Sequence, residues 1–201
     1  MSEVISRRER YIQVLTLNRP AKMNALTREM YAGLATGLNE AAGDSGVRAV
    51  LLTSEGDHFT AGNDIADFLA NPPTGQDSEV AKFLGSLLEF PKPLIAAVKG
   101  NAVGVGTTML LHCDVVIASP SAKFSMPFAS LGLVPEAGSS YLFPLLVGYQ
   151  RAAKIFFTGE SFGAESAREM GLVASIAADP LSEALDLAKV IAANPPQAMI
   201  N

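Results

Sequence analysis

Residues 11–17, YIQVLTL, alternate apolar and polar positions in the manner of a strand with one buried face. The turn NRPAKMNAL, with Pro20, interrupts that pattern, and Thr27 stands where a cap belongs before a helical periodicity that runs to about residue 42. VRAVLLT, residues 47–53, is a short apolar run and predicts a buried strand. After SEGDHF comes TAGND, whose Asp64 is placed to cap a short helix over 65–70; NPPTGQDS follows as the most linker-like stretch, and a helix is expected over 79–89. LIAAV, residues 94–98, predicts another buried strand, GNAVGVG a glycine-rich turn, and TTMLLH the start of a helix. Strands are expected at 115–118, 123–125 and 172–176, and helices at 139–147, 150–158, 164–170 and 181–193. Strands alternate with helices early, and helices dominate late.

Three segments share one design. VLLTSEGDHFTAGNDI, LIAAVKGNAVGVGTTM and KFSMPFASLGLVPEAGSS each pass from an apolar strand through a turn of small residues into a helix. Stacked turns of this kind bring several backbone N–H groups and a polar side chain to one edge.

With 201 residues, 49% hydrophobic and 17% charged, the chain fits one domain with a continuous core. The net charge of −5 is spread without a block of like charges, so neither a nucleic-acid tail nor a basic membrane face is indicated. The single cysteine, Cys113 in LLHCDVVIA, excludes an internal disulfide framework and reads as a small buried hydrophobe. No apolar run approaches the roughly 18 residues of a spanning helix, and the alternating N-terminus is unlike a signal peptide; a cytoplasmic location is the expectation.

Gly62-Asn63-Asp64 and Gly104-Val105-Gly106 are tight turns, each feeding a helix N-terminus whose free N–H groups favour negative charge. Glycine there allows positive φ and close approach of the backbone to a ligand. Either turn alone reads more readily as an ordinary strand-to-helix connection. GVGTTM imitates the start of a dinucleotide fingerprint, but Met109 occupies the third glycine position and no acidic residue follows at the ribose-binding distance. His58 and His112 have no Cys, His or carboxylate spacing that makes a metal set, and Asp114, between apolar neighbours, reads as structural. Thr107 and Thr108 are candidates to offer hydroxyls near these turns, though Thr in a first helical turn commonly bonds local backbone.

NRPAKMNAL, HFTAGNDI, KPLIAAVKGNAVGVGTTMLLHCDVVIA and FASLGLVPEAGSSYLFP, in this order and spacing, resemble the crotonase (enoyl-CoA hydratase/isomerase) family from about residue 11 to the end. The resemblance implies an α/β fold, a spiral of repeated ββα units with a helical C-terminal part, forming a single domain over residues 1–201. The chain stops at NPPQAMIN, where members of this family continue into further helices, so a C-terminal extension is expected to be missing. Trimers or pairs of trimers are implied, as is fatty-acid metabolism as the setting.

The implied chemistry is stabilisation of the enolate of an acyl-CoA thioester by the N–H groups of Asn63 and Val105, with coenzyme A part of the substrate and no other cofactor. Substrate contacts are implied for Ala21, Lys22, Ala61, Gly62, Asp64 and Ile65, and for the second turn, Gly104 and Gly106, and Thr108 and Phe128 are expected to flank the acyl pocket. Hydratases of the family carry two glutamates where this chain has Thr108 and Phe128, and water addition needs both a base and an acid. What remains is Glu136, in a motif resembling that of Δ3,Δ2-enoyl-CoA isomerases; Asn63 also resembles that branch. Burial against Phe128, Leu131, Leu133 and Val134 is expected to make Glu136 a single acid/base that moves a proton from C2 to C4. Thioester hydrolysis, a C–C rearrangement, or acyl-CoA binding without turnover are the alternatives.

Overall fold

The computed structural model describes residues 2–73 and 75–199. Of the linker-like NPPTGQDS, Thr74 lies outside the described residues, as do Met1 and the final Ile200 and Asn201. The chain opens with β1 (Val4–Glu9) and β2 (Ile12–Leu17), paired antiparallel, then α1 (Arg28–Gly43), β3 (Ala49–Ser54), α2 (Ile65–Ala70) and α3 (Glu79–Leu88). β4 (Leu94–Val98), β5 (Asn101–Val103) and the short α4 (Val105–Thr108) follow, then β6 (Val115–Ala118) and β7 (Lys123–Ser125). The remainder holds α5 (Ser139–Val147), α6 (Tyr149–Thr158), β8 (Phe162–Gly163), α7 (Ala164–Glu169), β9 (Ser175–Ile176) and α8 (Pro180–Ala192).

Six strands form one sheet in the order β1-β2-β3-β4-β6-β9, parallel except for the β1–β2 pair. Their apolar runs are explained by period-2 alternation with both faces covered. Val50 and Leu52 of β3 join the large core with α1 and α3, whereas Ala49 and Leu51 face a second core under α8. Ile95 and Ala97 of β4 and Ile117 of β6 continue that second face.

A second sheet, β5-β7-β8, is built from the segments between strands of the first. The chain leaves β4 for β5 and β6 for β7; after β3 it makes a single parallel bridge, Thr60 to Ala102. Ala102 pairs in turn with Phe124, and Phe124 with Phe162. The three strand-turn-helix segments therefore stack turn upon turn, each contributing one element to each layer, which is the ββα spiral expected from the sequence.

Local caps fix where helices begin. Thr27 Oγ1 accepts from the N–H of Met30 at 3.2 Å, Asp64 Oδ1 from Ala66 and Asp67 at 3.1 Å each, and Ser78 from Ala81 at 3.2 Å. Three strands went unforeseen. β1 is an edge strand with four consecutive exposed residues, so VISRRE shows no alternation. β5 and β8 are three and two residues long and are flanked by glycine or turn residues. The strand expected over 172–176 is confined to Ser175–Ile176, and TTMLLH becomes one helical turn followed by a 3-10 turn over Met109–His112.

Candidate active site

The first two glycine turns lie against each other. Gly62 has φ +86°, and a Cβ there would sit 2.9 Å from the carbonyl oxygen of Val103. A Cβ on Gly106 would come within 2.3 Å of Thr60 Cγ2. At Gly62 and Gly106, then, glycine is required because one turn packs on the next. Gly104 differs: nothing crowds it, but its φ of +57° is the backbone turn into α4. The positive φ expected of glycine is present at Gly62 and Gly104, and packing of turn on turn is a second reason for glycine at Gly62 and Gly106.

A second set of bonds ties the NRPAKMNAL turn to the first glycine turn. The fully buried Asn24 accepts from the N–H of Arg19 at 2.7 Å and donates to the carbonyls of Glu55 and His58 at 2.8 Å each. Its own carbonyl accepts from Thr60 Oγ1 at 2.6 Å. Ala61 N–H donates to Met23 at 2.9 Å, Leu26 N–H to Gly62 at 2.7 Å and Asp64 N–H to Leu26 at 2.9 Å. Flanked by these bonds, the N–H groups of Asn63 and Val105 make no hydrogen bond among the described residues. Both are thus available to an acceptor at the edge formed by the stacked turns.

Asp64 does more than cap α2: its Oδ2 pairs with Arg19 at 2.8 Å. The N–H of Asp67 and the Arg19 guanidinium hold its carboxyl below the ordinary range. Ala21 and Lys22 are exposed in the 3-10 turn Pro20–Lys22, next in space to the Met23–Ala61 bond. Ile65, 69% exposed, opens α2 toward solvent.

Glu136 sits in the turn that precedes α5, where Ala137 and Gly138 take φ of +54° and +64° and the N–H of Ser139 returns to the Glu136 carbonyl at 2.9 Å. His112 Nε2 donates to the carbonyl of Ala137 at 2.8 Å and clamps the same turn. The carboxylate is half-buried in its own chain. Oε1 accepts from the hydroxyl of the buried Thr108 at 2.6 Å; Oε2 is buried and has no hydrogen-bond partner among the described residues. Loss of hydration pushes the pKa of Glu136 up, and the Thr108 bond opposes this only in part.

The source of that burial departs from expectation. Leu131, Leu133 and Val134 are 60%, 44% and 83% exposed in this chain, and so do not wall the carboxylate. Phe128 is buried, but in a separate cluster with Met126, Phe143, Ala152, Ile155 and Met170. Apolar residues in irregular backbone carry no periodicity to say which way they point. Thr108 is the residue brought to Glu136, and its neighbour Thr107 bonds locally, donating to the carbonyl of Ala102 at 2.6 Å.

One residue at the site belongs to none of the motifs. Tyr31, on the buried face of α1, donates its hydroxyl to Oδ1 of Asn63. Burial raises its pKa and the charge of Glu136 raises it further, which brings the phenol within electrostatic reach of the carboxylate. Tyr31 and Asn63 line a cleft of about 330 Å³ that runs past Leu26, Phe68 and Pro72. An aromatic residue at helical spacing gives no sequence signal beyond a core position.

The other titratable candidates have structural partners. His58 Nδ1 accepts from the N–H of Asn101 at 3.2 Å, and Asp114 accepts from Leu94 at 2.7 Å. Burial raises the pKa of the Cys113 thiol well beyond its ordinary value. Among the described residues, no group of three or more His, Cys, Asp or Glu side chains is placed to hold a metal ion, and no helix is long and apolar enough to cross a membrane.

Comparison with known proteins agrees with this architecture. The family model described as enoyl-CoA hydratase/isomerase matches residues 7–200. The chain is 38% identical to 1,2-epoxyphenylacetyl-CoA isomerase of Escherichia coli, over 97% of this chain and 78% of that one. To human enoyl-CoA delta isomerase 2 it is 36% identical, over 94% of this chain and 50% of that one. Among solved structures, OdaA of Pseudomonas aeruginosa superposes with a TM-score of 0.95 at 46% identity, covering 99% of this chain and 82% of that one. Fold, motifs and matches converge: the chain belongs to the enoyl-CoA hydratase/isomerase family.

Proposed function

We propose that the protein is an acyl-CoA isomerase that shifts the double bond of a 3-enoyl-CoA to the 2-position, with Glu136 as its one acid/base. The observation that carries this is the state of the Glu136 carboxylate: one oxygen is fixed by Thr108, the other is buried and unpartnered. Oε2 takes the C2 proton, leaving a dienolate whose negative oxygen is held by the N–H groups of Asn63 and Val105. The now neutral carboxyl returns the proton to C4, and the 2-enoyl thioester is formed with no net gain or loss of atoms. Ala21, Lys22 and Ile65, exposed on these turns, and the half-buried Ala61 and Asp64 beside them are the proposed contacts of the coenzyme.

Water addition needs a second carboxylate, and the two positions in question hold Thr108, which binds Glu136, and Phe128, which packs in a core cluster. Incubation with 3-enoyl-CoA and 2-enoyl-CoA in separate reactions, with product analysis, tests the reading. The expected result is conversion of the first to 2-enoyl-CoA and very slow hydration of the second; hydration as fast as isomerisation sinks it.

A second reading is favoured by the extent of the bacterial match, which takes in 78% of the E. coli enzyme against 50% of the human one. In that reading the same carboxylate and N–H pair isomerise an epoxide-bearing arylacetyl-CoA. Turnover of 1,2-epoxyphenylacetyl-CoA in preference to 3-enoyl-CoA would select it.

A further inference from the structure

The Asn63 side chain is oriented from behind. Tyr31 projects from α1, is 3% exposed as a residue and has its ring 5.6 Å from that of Phe83, so the phenol has little freedom to swing. Its hydroxyl donates to Oδ1 of Asn63, and with that oxygen taken the two Nδ2 hydrogens face away from Tyr31. Nδ2 has no partner among the described residues, and Asn63 lines the cleft with Tyr31. The backbone N–H of the same residue also has no partner among the described residues.

A phenol in this position donates only while it keeps its proton. Burial and the nearby Glu136 charge both disfavour the phenolate, so the O–H persists across the working range of pH. A buried hydrogen bond to a side-chain amide fixes which end of that amide faces the cleft, a choice that backbone geometry alone leaves open.

We propose that Tyr31 is a positioning residue that acts through Asn63: its O–H holds the Asn63 carboxamide with the Nδ2 donor turned to the acyl group, beside the N–H that receives the enolate oxygen. This rests on the enolate chemistry proposed above but not on where the returned proton goes. It adds a side-chain donor to a site otherwise built from backbone N–H groups.

The test reads enolate formation alone. Phenylacetyl-CoA has an acidified C2–H and no double bond to move, so exchange of its C2 hydrogen for deuterium in D2O needs only a base and the enolate-holding groups. Tyr31→Phe, which keeps the ring against Phe83, is expected to lower the exchange kcat on the order of 10-fold with KM within about twofold. Asn63→Ala and Asn63→Asp both retain the backbone N–H, and Asn63→Asp also retains the acceptor for Tyr31 but has no side-chain N–H to offer; both are expected to lose at least as much.

In the Asn63→Ala background, Tyr31→Phe is expected to cause no further loss, because Tyr31 acts through the missing amide. Parental exchange in Tyr31→Phe, losses that simply multiply in the double variant, or full exchange in Asn63→Asp each overturn the proposal, and the last does so even where Tyr31→Phe fails to fold. A parent protein that exchanges C2 but leaves 3-enoyl-CoA unchanged removes the isomerase reading and leaves Tyr31 in its role. A parent that exchanges nothing removes both.

Discussion

The hydroxyl of Thr108 donates to Oε1 of Glu136 across 2.6 Å, joining the helical turn after the second glycine motif to the loop before α5. The bond stabilises the charged carboxylate and so works against the burial that raises its pKa. Thr108→Val keeps the shape and removes the donor. The Glu136 pKa then moves further up, and the acidic limb of the kcat/KM profile for 3-enoyl-CoA follows it to higher pH. An unchanged limb in the variant would mean that the Thr108 bond does not govern the base.

Glu136 itself is expected to trade stability for activity. Its folded-state pKa is raised by burial, so the contribution of its protonated form is fully present below the unfolded value of about 4.3 and is lost as pH rises through the folded value. Once ionised, the parent carries a buried charge that Gln does not. Glu136→Gln is expected to raise Tm at pH 7 and to lose that advantage near pH 4, while isomerisation falls on the order of 10²-fold or more. Glu136→Asp is expected to keep part of the activity, with the carboxylate drawn back by one methylene. Differential scanning calorimetry at the two pH values checks the sign.

How far the sequence reached can be followed residue by residue. Asp64 was legible as a cap because an acid after a glycine turn and before an apolar helix has few other uses, and its Oδ1 accepts the two N–H groups of the first turn. Glu136 was singled out by its motif, but its surroundings were not foreseen, since Leu131, closing a 3-10 turn, and Leu133 and Val134, in irregular backbone, are exposed. Tyr31 was illegible for the opposite reason: a buried aromatic on an amphipathic helix carries no mark of what its hydroxyl touches. Asn24 likewise read only as part of a turn, although its side chain and carbonyl fasten that turn to the segment after β3. Long-range hydrogen bonds of this kind depend on the fold already being assembled.

Asp64 supports the first turn from both of its oxygens. Asp64→Ala removes the α2 cap and one of the two carboxylates paired with Arg19, leaving Glu3 at 3.2 Å, with an expected loss of about 1–2 kcal/mol in denaturant unfolding. The carboxyl is held below its usual range, so this contribution is present at neutral pH and is lost as pH falls through the folded-state value. Asp64→Asn keeps the cap and is expected to cost less than the alanine variant at pH 7. Equal losses in the two would assign the effect to the Arg19 pair alone.

The stacking of the two glycine turns makes a sharper claim, because it names the atom that a side chain would strike. A Cβ at Gly106 would lie 2.3 Å from Thr60 Cγ2, far inside any normal contact. Gly106 is in helical backbone, where alanine is intrinsically favoured by about 1 kcal/mol, so propensity and packing oppose each other. Overpacking of a filled interior costs about 1–3 kcal/mol, and here the obstacle is a fully buried β-branched side chain whose Oγ1 is held by Asn24 and Gly62. Packing is therefore expected to win: Gly106→Ala loses stability and, by separating the Asn63 and Val105 N–H groups, lowers kcat/KM as well. Thr60→Ser removes only Cγ2 and keeps both Oγ1 bonds. Introduced into Gly106→Ala, it is expected to restore much of the lost stability and activity, although by itself it costs about 1 kcal/mol for the missing methyl. If the two substitutions instead add their losses, the methyl is not the contact that keeps residue 106 a glycine, and the turns are held apart by something other than their packing.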